Sequence, residues 1–337
     1  MTESQRERQC GCVPCHNAGP AVQCVGRPGA WNAGWIGLVT CGHIWTCPVC
    51  SMKLRTVRLG RVLRALEAAG GRWQMVTLTV RHRPGQPLAW LLRGLAKAWR
   101  RTRQGGLLQE IWTERVSASV RAWEVTRGQA GWHPHIHALL RTSAWTDEER
   151  ALLLERWLAA VERELGPECV PWEAHALRWS TPIDASALTE RERARYLVKL
   201  GCEIAGDKTS RKPGTRTAWA IAEGAANGSE SDAALWREYS AATRGRRMIE
   251  LDDRASGFAK QFRELQEPPE REPDVCIVPI DTLEMRALRE YERFCDRTVF
   301  ATMLADAAKA EKPALVIQTW IDLVTRTLFA RAGPCYG

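Results

Sequence analysis

Residues 116–141 read Val116-Ser-Ala-Ser-Val-Arg-Ala-Trp-Glu124-Val-Thr-Arg-Gly128-Gln-Ala-Gly131-Trp-His133-Pro-His135-Ile-His137-Ala-Leu-Leu-Arg141. Two runs rich in β-branched, small and aromatic residues flank Gly128-Gln-Ala-Gly131, the composition of two strands, 116–127 and 132–141, joined as a hairpin. Alternation puts His133, His135 and His137 on one face of the second strand, with Pro134 and Ile136 on the other. A single buried histidine is ordinary, but three on one face each need a polar partner. If 128–131 form the loop, Arg127 pairs with Trp132 and Glu124 falls opposite His135, their Cβ atoms about 5 Å apart. A slip of one residue would turn Glu124 to the other face. A carboxylate and two imidazoles at one point suit a divalent ion with open positions, manganese or magnesium, and would also suit zinc.

Working outward, Trp73–His82 is apolar and β-branched enough for a central strand. Leu88–Arg103 reads as a helix with a basic face, and 146–165 as an amphipathic helix opened by Thr146 with Glu149 three residues on. A helix over 188–204 carries Glu192, Tyr196, Lys199 and Glu203 at spacings of four, three and four, hence on one face. A phenol beside a lysine and near a metal can attack phosphorus, because the cation favours the phenolate and the metal polarises the phosphate. Taken alone this would be an ordinary solvated helix face; the histidine strand tips it toward function. Further on come a basic loop (207–216), a small-residue stretch expected to be mobile (223–231) and a helix from 232 to about 244. An exposed linker, Glu267-Pro-Pro-Glu-Arg-Glu-Pro273, precedes a mostly helical end.

The first 50 residues hold seven of the twelve cysteines, and 1–52 show little periodicity, as if unable to build a core without metal. Cys12-Val-Pro-Cys15 and Cys47-Pro-Val-Cys50 are two knuckles separated by 31 residues, enough for a tetrahedral zinc. Cys47 and Cys50 are the firm pair; Cys41 competes with Cys12 and Cys15 for the other positions. Lys53–Ala69 follows as a basic helix ended by Gly70-Gly71.

The chain has 337 residues and a net charge of +9. Residues 1–266 carry 39 basic against 27 acidic groups, +12, while the tail from Glu267 is slightly acidic. A basic body suits a phosphate-bearing partner. No run of 18 apolar residues is present, which excludes a membrane-spanning helix, and the polar start MTESQRERQC has no apolar signal core, so a cytoplasmic protein is expected. Gly201-Cys-Glu-Ile-Ala-Gly206 before Asp207-Lys208-Thr209 approaches a phosphate loop, but Asp207 breaks the Gly-Lys adjacency and excludes an ATPase.

Three motifs in order resemble the rolling-circle plasmid replication initiators (Rep proteins) of the HUH endonuclease superfamily. Thr77-Leu-Thr-Val-Arg-His82 is similar to the first, Glu124–His137 with His135-Ile136-His137 to the second, and Tyr196-Leu-Val-Lys199 to the third. Cys41–Cys50, with Cys10-Gly11 upstream, resembles the cysteine segment of one branch. Leu235–Tyr239 through Gly245-Arg-Arg247 is similar to the region that follows the nuclease core.

The resemblance implies an α+β fold with a central antiparallel sheet flanked by helices, of the HUH nuclease (ferredoxin/RRM-like) kind, plus an N-terminal zinc-binding cysteine module and a helical C-terminal region. The expected division is 1–70 (zinc module and basic helix), 71–210 (nuclease), 211–266 (basic extension) and 267–337 (linker and helices). The implied activity is a site-specific nick in single-stranded or hairpin origin DNA, with Tyr196 forming a 5′-phosphotyrosine. Glu124, His135 and His137 would hold Mn2+ or Mg2+, Lys199 would stabilise charge, and Glu192 would activate water at termination. Arg81, Lys208, Arg211 and Lys212 are expected to contact DNA, Zn2+ to be structural, and host helicase and polymerase to be partners. A zinc-containing DNA-binding regulator explains charge and cysteines but not the histidine face. A zinc-dependent hydrolase explains the histidines but not the tyrosine helix.

Overall fold

The structure is a computed structural model and describes residues 10, 19–187, 214–252, 254–258, 260, 274–294 and 299–331. In chain order its strands and helices are β1 (Ala21–Arg27), β2 (Ala30–Ile36), α1 (Pro48–Ala69), β3 (Arg72–Thr79), α2 (Leu88–Thr102), α3 (Gly106–Arg115), β4 (Val116–Gly128) and β5 (Gly131–Thr142). There follow α4 (Asp147–Leu165), α5 (Glu173–Ala176), β6 (Leu177–Trp179), β7 (Ile183–Asp184), β8 (Arg216–Thr217), α6 (Ala218–Ala226), α7 (Glu230–Thr243) and β9 (Ile249–Leu251). The last are β10 (Asp274–Pro279), α8 (Thr282–Phe294), α9 (Val299–Lys309) and α10 (Pro313–Arg331). No helix among the described residues is long and apolar enough to cross a membrane. The chain divides into two units, one of Gly42–Leu265 and one of Ser4–Cys41 with Gln266–Gly337.

The first unit is built on a mixed α/β plan around an antiparallel sheet ordered β6-β3-β5-β4-β8, with β7 also on β3 and β9 also on β4. β3, β5 and β4 are long because their sequences alternate apolar and polar residues without a proline at a donor position that the ladder needs. The expected β4–β5 hairpin forms, and its ladder runs one pair further than 127–132, to Gly128 opposite Gly131, leaving a two-residue turn of Gln129 and Ala130. Gly131 has φ +99°, and a Cβ there would lie 2.9 Å from the Arg83 carbonyl oxygen, so only glycine fits.

Leu78, Ile136 and Leu140 are fully buried with Leu88, Leu91, Leu92 and Leu95 of α2 and Leu153, Trp157 and Val161 of α4. Each such aliphatic side chain contributes about 1.5–3 kcal/mol by leaving water. Gly94 permits the close approach of α2 and α4, since a Cβ there would meet Leu165 Cδ2 at 2.1 Å. α4 starts as expected: the Glu149 amide donates to Thr146 Oγ1 at 3.2 Å and the Thr146 amide to Glu149 Oε2 at 2.9 Å. The stretch 223–231 is not the mobile segment its small residues suggested. Alanine favours helix, so α6 runs to Ala226 and α7 opens at Glu230 behind a Ser229 cap.

Arg216 of β8 holds α7 to this unit, donating to both carboxylate oxygens of Asp232 at 2.6 and 2.7 Å. The guanidinium keeps the Asp232 carboxyl below the usual aspartate range. Its stabilising contribution is therefore present above the unfolded value of about 3.9 and is lost as pH falls through the lower folded value. Asp232→Asn should melt earlier than the native chain at neutral pH, and the gap should close in acid; a gap independent of pH would remove the ion pair as its cause.

The second unit is a three-stranded antiparallel sheet ordered β10-β1-β2, with Cys24 opposite Cys276. Val22, Cys24 and Val278 share a core with Leu288, Met303, Ile317, Ile321 and Val324 of α8, α9 and α10. The reading of 1–52 as unable to pack without metal is corrected here: 21–36 form strands whose core partners come from the far end of the chain. Burial, with Cys276 across the ladder, pushes the Cys24 thiol up, and burial does the same to Cys169. Both behave as packing residues.

Candidate functional site

The β5 histidines project from the sheet face that also carries Thr77 and Thr79 of β3 and Glu124 of β4. The register sets Thr77 opposite His137, Thr79 opposite His135, and Glu124 opposite His135. Glu124 reaches diagonally, however: its Oε2 lies 3.0 Å from Nε2 of His137, a ring only 7% exposed. Cross-strand diagonals are within reach of a long side chain, so the direct and the diagonal histidine can both be served by one carboxylate.

The threonines fix the rings. Thr77 Oγ1 is 3.0 Å from His137 Nδ1, and Thr79 Oγ1 is 3.2 Å from His135 Nδ1. In the tautomer that leaves Nε2 as a lone-pair donor, each Nδ1–H donates to its threonine hydroxyl, the usual support for a ligating imidazole. These two threonines were given no role from sequence, although their alternate positions in Thr77-Leu-Thr79 place them on one strand face. The histidine row continues past the site. His133 Nδ1 lies 3.3 Å from His82 Nε2, with the two rings edge-on at 4.3 Å, and burial lowers the His82 pKa. His133 stacks obliquely at 4.0 Å from His135, which lies 6.2 Å from His137 between ring centroids.

Nitrogen, nitrogen and carboxylate oxygen on a partly dry face form a donor set that a divalent ion accepts. Among the described residues, the one group of three or more potential ligands whose donor atoms all lie close together is not this face but a cluster of cysteines. Sγ atoms of Cys10, Cys41, Cys47 and Cys50 all lie within 4.8 Å of one another. Four thiolates at 2.3 Å from one zinc would be about 3.8 Å apart, so a small contraction makes the site. Cys47 caps α1 and accepts from the Cys50 amide at 3.4 Å. Gly42 N–H donates to Cys50 Sγ, and Cys41 N–H to Cys10 Sγ, both at 3.3 Å. Amides aimed at sulfur favour thiolates, the form that binds metal. The four-cysteine cluster could thus hold a metal.

Of the expected zinc ligands, Cys41, Cys47 and Cys50 are brought together, and Cys10 joins them; Cys12 and Cys15 lie outside the described residues. In sequence Cys10 is one of several extra candidates near the two knuckles, with Cys24, His16 and His43, and nothing there singles it out. Glu192, Tyr196, Lys199, Lys208, Arg211 and Lys212 also lie outside the described residues. Arg81 follows β3 and is exposed, its amide donating to the Cys169 carbonyl at 2.8 Å.

Residues 39–291 match the model of a family described as Replication protein. The chain is similar to "Protein rep" of Streptomyces lividans, 29% identical over 295 residues that cover 67% of this chain and 65% of the relative. It is also similar to "Neomycin resistance protein" of Streptomyces cyanogenus, 31% identical over 153 residues, 37% of this chain and 35% of that protein. The chain therefore spans less than two thirds of either relative's length. No solved structure matches it.

Proposed function

The chain belongs to this replication protein family, and from that premise we propose that it is a rolling-circle initiator of the HUH type that nicks and rejoins one strand of a plasmid-like origin. The observation that carries the reading is the common face of His135, His137 and Glu124, with each imidazole backed by a threonine. In this reading residues 71–210 carry the nuclease, 211–266 are its basic extension, and the unit of Ser4–Cys41 with Gln266–Gly337 serves partners such as host helicase or polymerase. The cytoplasm is where such a protein would act.

Glu124, His135 and His137 would hold manganese or magnesium, which when bound supplies positive charge to a phosphate oxygen. Tyr196 gives up its phenolic proton and its oxygen attacks the scissile phosphorus. The new P–O bond to tyrosine forms as the P–O3′ bond breaks, and the departing 3′ oxygen takes up a proton to become a primer terminus. Bond energy is kept in the phosphotyrosine, so a 3′-hydroxyl can reverse the step and close a circle. Lys199 favours the phenolate, and Glu192 takes the proton from water at termination. Arg81, Lys208, Arg211 and Lys212 pair with backbone phosphates. Zinc at the cysteine cluster would be structural.

The test is cleavage of supercoiled DNA bearing the cognate origin, with manganese, read as open circles carrying protein on the 5′ end. Absence of nicking on the cognate origin would defeat the reading. In the same assay Thr77→Val, which keeps the shape but loses the hydroxyl, should raise the manganese needed for half-maximal nicking by about 10- to 100-fold. An unchanged manganese requirement would remove Thr77 as an orienting group.

A further inference from the structure

All sixteen tryptophans of the chain fall within the described residues, and fifteen of them are buried or half-buried. The exception is Trp172, 72% exposed. Leaving an indole in water forgoes one of the largest hydrophobic gains a side chain can offer. Its backbone is nonetheless firmly held. The segment is pinned before it by the Arg81 amide on the Cys169 carbonyl and after it by β6, whose Leu177 pairs with Leu78 of β3. The His175 amide donates to the Trp172 carbonyl at 2.8 Å, while the flanking Pro171 and Ala176 are buried. The exposed ring is thus presented on a rigid mount.

Two cation-capable groups accompany it. The Arg81 guanidinium lies 5.9 Å from the indole centroid, and the His175 ring lies 6.2 Å away. Arg81 is two residues on from Thr79, which contacts His135, and adjoins His82, which contacts His133. An aromatic face with a cation, next to the histidine face, is the combination that takes an unpaired base and its phosphate.

We propose that Trp172 is a stacking platform for an unpaired nucleobase of single-stranded DNA, with Arg81 engaging the adjoining phosphate. This rests on the DNA-nicking reading and adds to it the position that holds the strand open beside the phosphate to be cut. Stacking needs a free base face, which duplex DNA hides within its own stack, so the platform discriminates between the two forms.

The test uses the full chain without added manganese, titrated with a labelled oligothymidylate and with a blunt duplex of equal length. Trp172→Ala should weaken oligothymidylate binding roughly 5- to 100-fold, the range of one lost stacking contact, and leave duplex binding unchanged. Trp172→Phe should restore most of the loss, whereas Arg81→Ala should lower the salt dependence of binding. Equal affinity of Trp172→Ala and native protein for the single strand overturns the proposal, and so does an equal loss on both substrates. Covalent capture on origin DNA is scored separately. No adduct with native protein, but single-strand binding that depends on Trp172, would mean that the nicking reading has failed and the platform stands. An adduct with no dependence on Trp172 would mean the reverse.

Discussion

Tyr196→Phe protein binds origin DNA with native affinity and leaves no protein attached to the 5′ end. The substitution deletes one oxygen and keeps the ring, so folding and DNA contacts survive while the atom that would bond phosphorus is gone. Loss of a nucleophile typically costs on the order of 10³-fold or more in rate, and here the covalent intermediate has no other donor in the proposed mechanism. The measurement is denaturing electrophoresis of a labelled origin oligonucleotide after incubation with manganese, beside a binding titration. An adduct of undiminished yield in the phenylalanine protein would falsify the assignment of Tyr196. A loss of binding together with the adduct would point instead to a structural role for Tyr196.

Cys47→Ser should purify with its bound zinc lost and with a lowered melting temperature. The choice of serine separates two duties of this residue. Cys47 caps α1, with its sulfur accepting from the Cys50 amide, and serine is among the best capping residues, so the helix start is preserved. A hydroxyl is a poor zinc donor, and three thiolates hold the ion less firmly than four. Apparent zinc binding in small cysteine sites is worth about 10–16 kcal/mol at neutral pH, so even a fraction of that coupled to folding gives a shift of many degrees. Metal analysis of native protein should return about one zinc per chain for one four-thiolate site. Unchanged zinc in the serine protein would sink the assignment.

What could be read from the sequence, and what could not, follows the distance over which each contact acts. The β4–β5 hairpin was legible because its turn glycines and its alternation lie within one short stretch, which made the pairing of Glu124 with His135 calculable. The reach of that carboxylate to His137 rather than only to its direct neighbour was not, because a side-chain torsion leaves no trace in residue spacing. Thr77 and Thr79 are legible as part of a strand, yet the identity of the facing strand is needed before they emerge as partners of two histidines. Cys10 was obscured by a surplus of candidates in the same fifty residues. β1 and β2 were missed because their apolar faces are short and are completed by β10, which no local pattern announces. α3 was missed for a different reason: Gly106–Arg115 has its apolar residues spread around the helix, with Leu108 alone fully buried.

The pairing of β1 with β10 also bears on how the protein is made. Cys24 and Cys276 are neighbours in a ladder although about 250 residues separate them. At ordinary translation speed the first hairpin leaves the ribosome roughly 10–50 s before its third strand exists. Throughout that interval Gly42–Leu265 can fold as an uninterrupted segment, while the emerged N-terminal ribbon waits with one edge unsatisfied. A ribosome that stalls late in the message therefore releases a chain whose larger unit is finished and whose sticky edge is bare, a product for chaperones and proteases to sort.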